Sequence, residues 1–295
     1  MRGYLTAAYS HEVYLEQAIT MLLSFRSKND LTPFSIVVDE ENYKRILVRN
    51  YKEWFDQIII LDQSKLYDFI GKLYSALQTP YTDTIYFDSD CLLIKSADLL
   101  NRELSIYNFC VPGADVYDGE YAGIQMKEWL AYNQLKYIPI FNAGVFRFNE
   151  NGKPIIEEAL AMMHEPEKYH LPAADGGLNE QVALGIAMAK HDIHPIAFAH
   201  DLHFSFYNAN TPLQLDIAQS ICNFTKEQIP RSPFIFHYTP LYHAGFYYSA
   251  SRRLLMKEIN KLRGHFGIAA TEFFKPTLRD KLALLRRGKL WRDVR

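Results

Sequence analysis

Cysteine is scarce: Cys91, Cys110 and Cys222 are the three in a chain of 295 residues. They form no C-x-x-C pair and leave one thiol over, which argues against a disulfide framework or a structural zinc and for a reducing compartment. Long apolar runs are missing too; none approaches the roughly 18 residues needed to span a bilayer. The opening stretch MRGYLTAAYSHEVYLEQ meets His11 and Glu12 too soon for a signal peptide. No internal repeat and no low-complexity linker divides the chain. The expectation is a soluble cytoplasmic protein whose hydrophobic fraction of 48% suffices for a large core.

Positive charge is thin over most of the chain. Residues 251–295 hold 13 Lys+Arg against 4 Asp+Glu, a net of +9, which leaves residues 1–250 with 19 against 30, a net of −11. Nucleic acid would be repelled by that body, so no nucleic-acid partner is expected. The tail FFKPTLRDKLALLRRGKLWRDVR sets Leu278, Leu282 and Leu285 on one helical face with Arg279, Arg286 and Arg287 around it, and Trp291 follows. A basic amphipathic segment of this kind suits an anionic membrane surface, and packing on the protein itself or on a second subunit is the alternative.

What the first half does contain is alternation of strand and helix. GYLTAAY, PFSIVVD and QIIIL are apolar β runs, His11–Ser27 reads as an amphipathic helix, and Lys65–Leu77 as another. Near-continuous apolar strands separated by helices predict βαβ units in a mostly parallel sheet. Further on, IYNFCVP reads as a strand and GADVYDGEYAGIQMKEWLAYNQLKY as excursion loops over a cleft. IPIFNAGVFRFN reads as one strand, KPIIEEALAMMHE and LNEQVALGIAMAKH as helices, and PFIFHY as a last strand ending at His237. One α/β domain over residues 1–250 with a helical tail over 251–295 is the expected organisation.

The fourth strand, in TIYFDSDCLLI, carries Asp88 and Asp90 where the pattern asks for buried apolar residues. Desolvating a carboxylate is costly, and two of them two residues apart repel one another, so a bound cation is the simplest relief. Open α/β sheets bind ligands beyond the C-terminal ends of their strands, which is where this motif falls.

YFDSDCLLI resembles the D-x-D segment of GT-A-fold glycosyltransferases, especially the glycogenin and bacterial galactosyltransferase group of glycosyltransferase family 8. The resemblance runs loosely from residue 3 to about residue 250. It implies a Rossmann-like GT-A domain that moves a hexose from a nucleotide diphosphate sugar, UDP-hexose first among donors, to a glycan or lipid-linked acceptor with retention of configuration. Tyr14 opens the first helix where that group stacks an aromatic on the nucleobase. Lys72, in GKLYSAL, stands where the group has a lysine reaching for the donor phosphates. FNAGVFRFN is similar to a strand whose asparagine lies against the sugar, which implies donor contacts from Asn142, Ala143 and Gly144, with Ser89 inside the D-x-D. FHYTPLYH resembles a late segment whose histidine completes the metal shell, here His237. Two carboxylates and an imidazole suit Mn²⁺, and less well Mg²⁺.

Two segments depart from that pattern. In HYTPLYHAGF, Pro240 stands at a glycine position and His243 at a lysine position, so the resemblance gives His243 the phosphate contact. In AADGGLNEQVAL, either Asp175 or the cluster Asn179, Glu180 and Gln181 takes the polar role beside the anomeric carbon. His194, His200 and His203 fall in a loop stretch and receive no role. Two other readings compete: a D-x-D phosphohydrolase of the haloacid dehalogenase type, and a nucleotide-sugar-binding protein without turnover. A peripheral position on the inner face of the membrane is expected if the tail binds lipid.

Overall fold

The computed structural model describes residues 1–67, 69–121, 124–171, 173–174, 177–197, 202–205, 214–217 and 219–238. Its first strands are β1 (Arg2–Ala8), β2 (Phe34–Val38), β3 (Ile58–Ile60), β4 (Asp83–Phe87), β5 (Cys91–Leu93) and β6 (Phe109–Cys110). Then come β7 (Gly113–Val116), β8 (Glu120–Tyr121), β9 (Ile124–Gln125), β10 (Ile138–Phe141), β11 (Val145–Asn149), β12 (Ala173–Ala174) and β13 (Gly177–Leu178). The last are β14 (His203–Ser205), β15 (Gln214–Asp216), β16 (Ile221–Lys226), β17 (Ile229–Arg231) and β18 (Ile235–His237). The helices are α1 (Glu12–Ser27), α2 (Glu40–Val48), α3 (Ile70–Leu77), α4 (Ala97–Glu103), α5 (Met126–Tyr132), α6 (Lys153–His164) and α7 (Glu180–Lys190).

The chain divides into two compact units. Among the described residues the first comprises Met1–Leu15, Thr32–Ser89 and 101–197; the second comprises Glu16–Leu31, Asp90–Leu100 and 202–238. A six-stranded sheet of order β3-β2-β1-β4-β11-β6 organises the first unit. Strands β3, β2, β1 and β4 run parallel, and β11 lies antiparallel to both β4 and β6. The mixed, mostly parallel α/β sheet expected from the sequence is therefore present. Burial on both faces explains why β1 and β2 read as unbroken apolar runs.

Helices α3, α6 and α7 cover one face. Leu5, Val37, Tyr86, Phe146 and Phe148 of the sheet share a buried core with Leu73 of α3, Ile156 of α6 and Val182 of α7. Phe146 is its aromatic centre, stacked on Tyr86 at 4.8 Å between ring centroids and on Phe109 at 5.9 Å. At the opposite end of the strands Asp83 receives Arg2 and Arg147 at 2.8 and 2.7 Å, which ties the starts of β1 and β4 to β11. Burial works to raise the carboxyl pKa of Asp83, but the two guanidinium groups outweigh it and hold the pKa below the usual range.

Strand order fixes where a ligand can enter. From β1 the chain steps outward to β2 and β3, then returns to place β4 on the other side of β1. The crevice between the C-terminal ends of β1 and β4 is thus the topological switch point, flanked by Tyr9 and Asp88. The loop after β1 is braced there. Ser10 holds a left-handed φ of +68°, and its N–H donates to Asp39 Oδ2 at 2.6 Å. The other oxygen of Asp39 accepts from Asn42 N at 2.8 Å and caps α2.

Several local expectations are corrected. IPIFNAGVFRFN is two strands, because β10 pairs with β7 while β11 pairs with β4 and β6. The break falls where Asn142 Oδ1 accepts from Gly144 N at 2.9 Å, a side-chain turn that competes with a continuous ladder. The supposed excursion loops contain β7, the β8–β9 hairpin and α5, whose Met126, Trp129 and Leu130 are buried at helical spacing. The helix expected over Lys65–Leu77 starts only at Ile70. The strand in IYNFCVP shrinks to Phe109–Cys110, and α2 was not anticipated.

In the second unit β14, β18 and β5 form one small sheet and β15, β16 and β17 another. No helix of the described residues is long and apolar enough to cross a membrane. Replacing Phe146 with alanine is expected to cost about 3–5 kcal/mol through lost burial and the cavity left behind. Urea denaturation of Phe146→Ala, read as a lowered midpoint, checks this.

Candidate functional site

Lys72 leaves the first turn of α3 and is buried, with 10% of its side chain exposed. Its ammonium lies 2.9 Å from Asp88 Oδ2, 2.7 Å from Glu180 Oε1 and 3.5 Å from Ala143 O. The ammonium group has three N–H donors, so this arrangement matches its capacity. Burial alone would lower the pKa of Lys72, but Asp88 and Glu180 together more than reverse that, holding it above the ordinary lysine range.

Gly71 makes room for this packing. A Cβ at that position would lie 2.7 Å from Tyr9 Oη, so glycine lets the phenol rest against α3. Burial pushes the pKa of Tyr9 up; Lys72 draws it down, and Asp88, Glu180 and Tyr14 add to the rise. The result is a neutral phenol beside the charged cluster. Tyr9 was not foreseen as a site residue, although its place directly after β1 at the switch point was a readable signal.

Helix α7 brings the next group. Asn179 caps it, with Oδ1 accepting from Gln181 N at 3.0 Å and Val182 N at 3.3 Å. Glu180 then stands at the positive end of the helix, where a carboxylate is favoured. Gln181 Oε1 accepts from Ala143 N at 2.8 Å, and Asp88 N donates to Gly144 O at 2.8 Å. The 142–144 turn is thereby joined to the end of β4 and the start of α7. The hydroxyl of Tyr121 is pushed up to about 12 by burial and by Glu180.

In the second unit Asp90 and His237 are paired, Oδ1 to Nε2, at 3.0 Å, both more than nine-tenths buried. Tyr238 N donates to the backbone oxygen of Asp90 at 3.2 Å. Strand β18 sets His237 opposite Cys91 of β5, and the ring of His203 stacks on that of His237 at 5.5 Å. Asp90 and His237 are placed to share a divalent ion, and Asp88 precedes Asp90 by two positions in the chain.

The first unit therefore gathers Tyr14, Lys72, Asp88, Asn142, Ala143, Gly144, Asn179, Glu180 and Gln181, with Tyr14 on the first turn of α1 and 39% exposed. Ser89 is buried between the two aspartates. Asp175, His243 and the tail over residues 251–295 lie outside the described residues.

No protein-family model matches the chain, and no curated protein matches it. Among solved structures it is similar to the galactosyltransferase LgtC in complex with donor and acceptor sugar analogs, at 13% identity and a TM-score of 0.56. A second LgtC structure, of an active-site glutamine-to-glutamate mutant, gives 14% identity and a TM-score of 0.53. Both likenesses cover 87% of this chain and 96% of the other. The fold is that of the GT-A glycosyltransferases.

The Lys72 cluster makes a direct prediction. Lys72→Met leaves two carboxylates without their cation and is expected to destabilise by about 3–5 kcal/mol at neutral pH, less in Lys72→Met/Glu180→Gln. A pKa raised on folding contributes stability that is full below the unfolded value of 10.5 and is lost as pH rises through the folded one. The gap between wild type and Lys72→Met should therefore narrow in strongly alkaline solution, as read by urea denaturation at several pH values.

Proposed function

We propose that this chain is a metal-dependent glycosyltransferase that moves a hexose from a nucleotide diphosphate sugar, UDP-hexose foremost, to a glycan or lipid-linked acceptor. The observation that carries the reading is the Lys72–Asp88–Glu180 cluster at the switch point of a GT-A sheet. In this reading Asp88, Asp90 and His237 hold Mn²⁺ or Mg²⁺. Ligand atoms at right angles on an ion with bonds of about 2.1 Å stand about 3 Å apart. The Asp90–His237 separation of 3.0 Å fits that spacing. Bound there, the ion supplies a Lewis acid for the departing diphosphate.

The protein's own groups account for the remainder. Lys72 sets a fixed positive charge beside Asp88 and holds Glu180 in place, so the electrostatics of the crevice are arranged before a donor arrives. Tyr14 offers an exposed ring for the nucleobase, next to the neutral phenol of Tyr9. Asn142 and Gln181 flank the place of the sugar. Gln181 is oriented by the N–H of Ala143, which favours it over Asn179, used as a helix cap, and Glu180, held by Lys72, for the role beside the anomeric carbon. The active-site glutamine named in the LgtC mutant supports the same choice. Retention of configuration belongs to this proposal, and so does an anionic membrane surface for the basic tail.

The test is nucleotide release from a panel of UDP-, GDP-, dTDP- and CMP-sugars with Mn²⁺ or EDTA. Release of UDP with Mn²⁺, abolished by EDTA and lowered on the order of 10²-fold in Gln181→Ala, is expected. Hydrolysis of simple phosphomonoesters without turnover of any nucleotide sugar would favour the phosphohydrolase instead.

A further inference from the structure

We infer that Cys91, His203 and His237 form a second, softer metal site that takes a thiophilic divalent ion such as Zn²⁺ or Co²⁺. All three belong to the β14-β18-β5 sheet of the second unit. The register sets His237 opposite Cys91 across one strand pair, and His203 opposite Ile235, two residues before His237, across the other. Side chains alternate along a strand, so the three share one face of the sheet. Their ligand atoms all lie within 4.8 Å of one another. Cys91 is 0%, His203 1% and His237 6% exposed, so the group is buried among β-sheet backbone rather than scattered on a surface.

The chemistry of the set differs from that of the aspartates. One sulfur and two imidazole nitrogens are borderline-soft ligands that prefer Zn²⁺ or Co²⁺, whereas carboxylate oxygens suit Mn²⁺ and Mg²⁺. Tetrahedral ligands on zinc stand about 3.3–3.7 Å apart for bonds of about 2.0–2.3 Å. The set therefore needs only about an ångström of closure to reach that geometry. Binding forms a metal–sulfur bond and releases the thiol proton to solvent, and the fourth position stays open to water or an anion.

His237 is common to this set and to the one proposed for the donor metal. One consequence rests on the glycosyltransferase reading: Zn²⁺ held by Cys91 and His203 takes His237 away from Mn²⁺, and the ion that occupies the soft site opposes donor binding.

The direct test is titration of the metal-free full chain with Co²⁺, followed by absorption. One equivalent should produce the near-ultraviolet thiolate-to-cobalt band and the intense visible bands of a four-coordinate ion. Both should be lost in Cys91→Ala, be strongly reduced in His203→Gln, and persist in Asp88→Asn, which is outside the set. Circular dichroism shows whether each variant is folded; if Cys91→Ala is not, His203→Gln decides. Absence of Co²⁺ binding, Co²⁺ bound without the thiolate band, or a band unmoved by either substitution would overturn the site. A second arm measures Mn²⁺-dependent UDP binding with and without Zn²⁺. A several-fold rise in the Mn²⁺ required, relieved in His203→Gln, is expected. A cobalt–thiolate band in a chain that never binds UDP with Mn²⁺ would leave the soft site standing and remove the donor reading alone.

Discussion

The ammonium of Lys72, held between the carboxylates of Asp88 and Glu180, is the contact around which the first unit arranges its chemistry. It joins α3, the C-terminal end of β4, the N-terminus of α7 and, through Ala143 O, the turn between β10 and β11. Each of these groups is expensive to bury alone, and together they neutralise all but one unit of charge. Removing Lys72 leaves two buried carboxylates without their cation, and removing either carboxylate leaves the ammonium with one partner where it had two, so the cluster makes the relative placement of four chain segments interdependent. The excess negative charge stays at the one end of the sheet where a cation or a cation-bound anion can use it.

That placement follows from topology. A parallel sheet whose order reverses at β1 and β4 leaves a crevice at their C-terminal ends, and loops rather than helices line it. Tyr9, Ser10 and Asp88 all fall there because they are the first residues past their strands. The strained Ser10 is held by Asp39, itself the first residue past β2. The ends of β1 and β2 are thus tied together before any ligand is bound, the kind of preorganisation on which electrostatic stabilisation of a departing phosphate depends.

Much of this was legible in the sequence because it rests on patterns of short range. The apolar runs of β1, β2 and β4, and the helices α1, α6 and α7, follow from periodicity, and Asp88 and Asp90 stand out against the run that holds them. Lys72 was recognised, but as a phosphate ligand; its pairing with Glu180, 108 residues away, is a tertiary fact that spacing does not encode. The break at Asn142 was missed because IPIFNAGVFRFN keeps its apolar character through a turn made by one side-chain hydrogen bond. Helix α5 was missed for the opposite reason: aromatic and polar residues obscure the spacing of Met126, Trp129 and Leu130. His203 had no local signal at all, since only the pairing of β14 with β18 brings it to His237.

Cysteine spacing likewise pointed away from a zinc site, and within its own terms it was sound: no two of the three thiols are close in sequence. A mixed Cys–His set assembled by strand pairing leaves no spacing motif to read. The measurement that bears most directly on the account is calorimetric titration with UDP in Mn²⁺ and in EDTA, of the wild type and of Asp88→Asn/Asp90→Asn. Binding that requires Mn²⁺ and disappears in the double variant is the predicted result. Equal binding of UDP with and without metal, or binding that survives both substitutions, would contradict it.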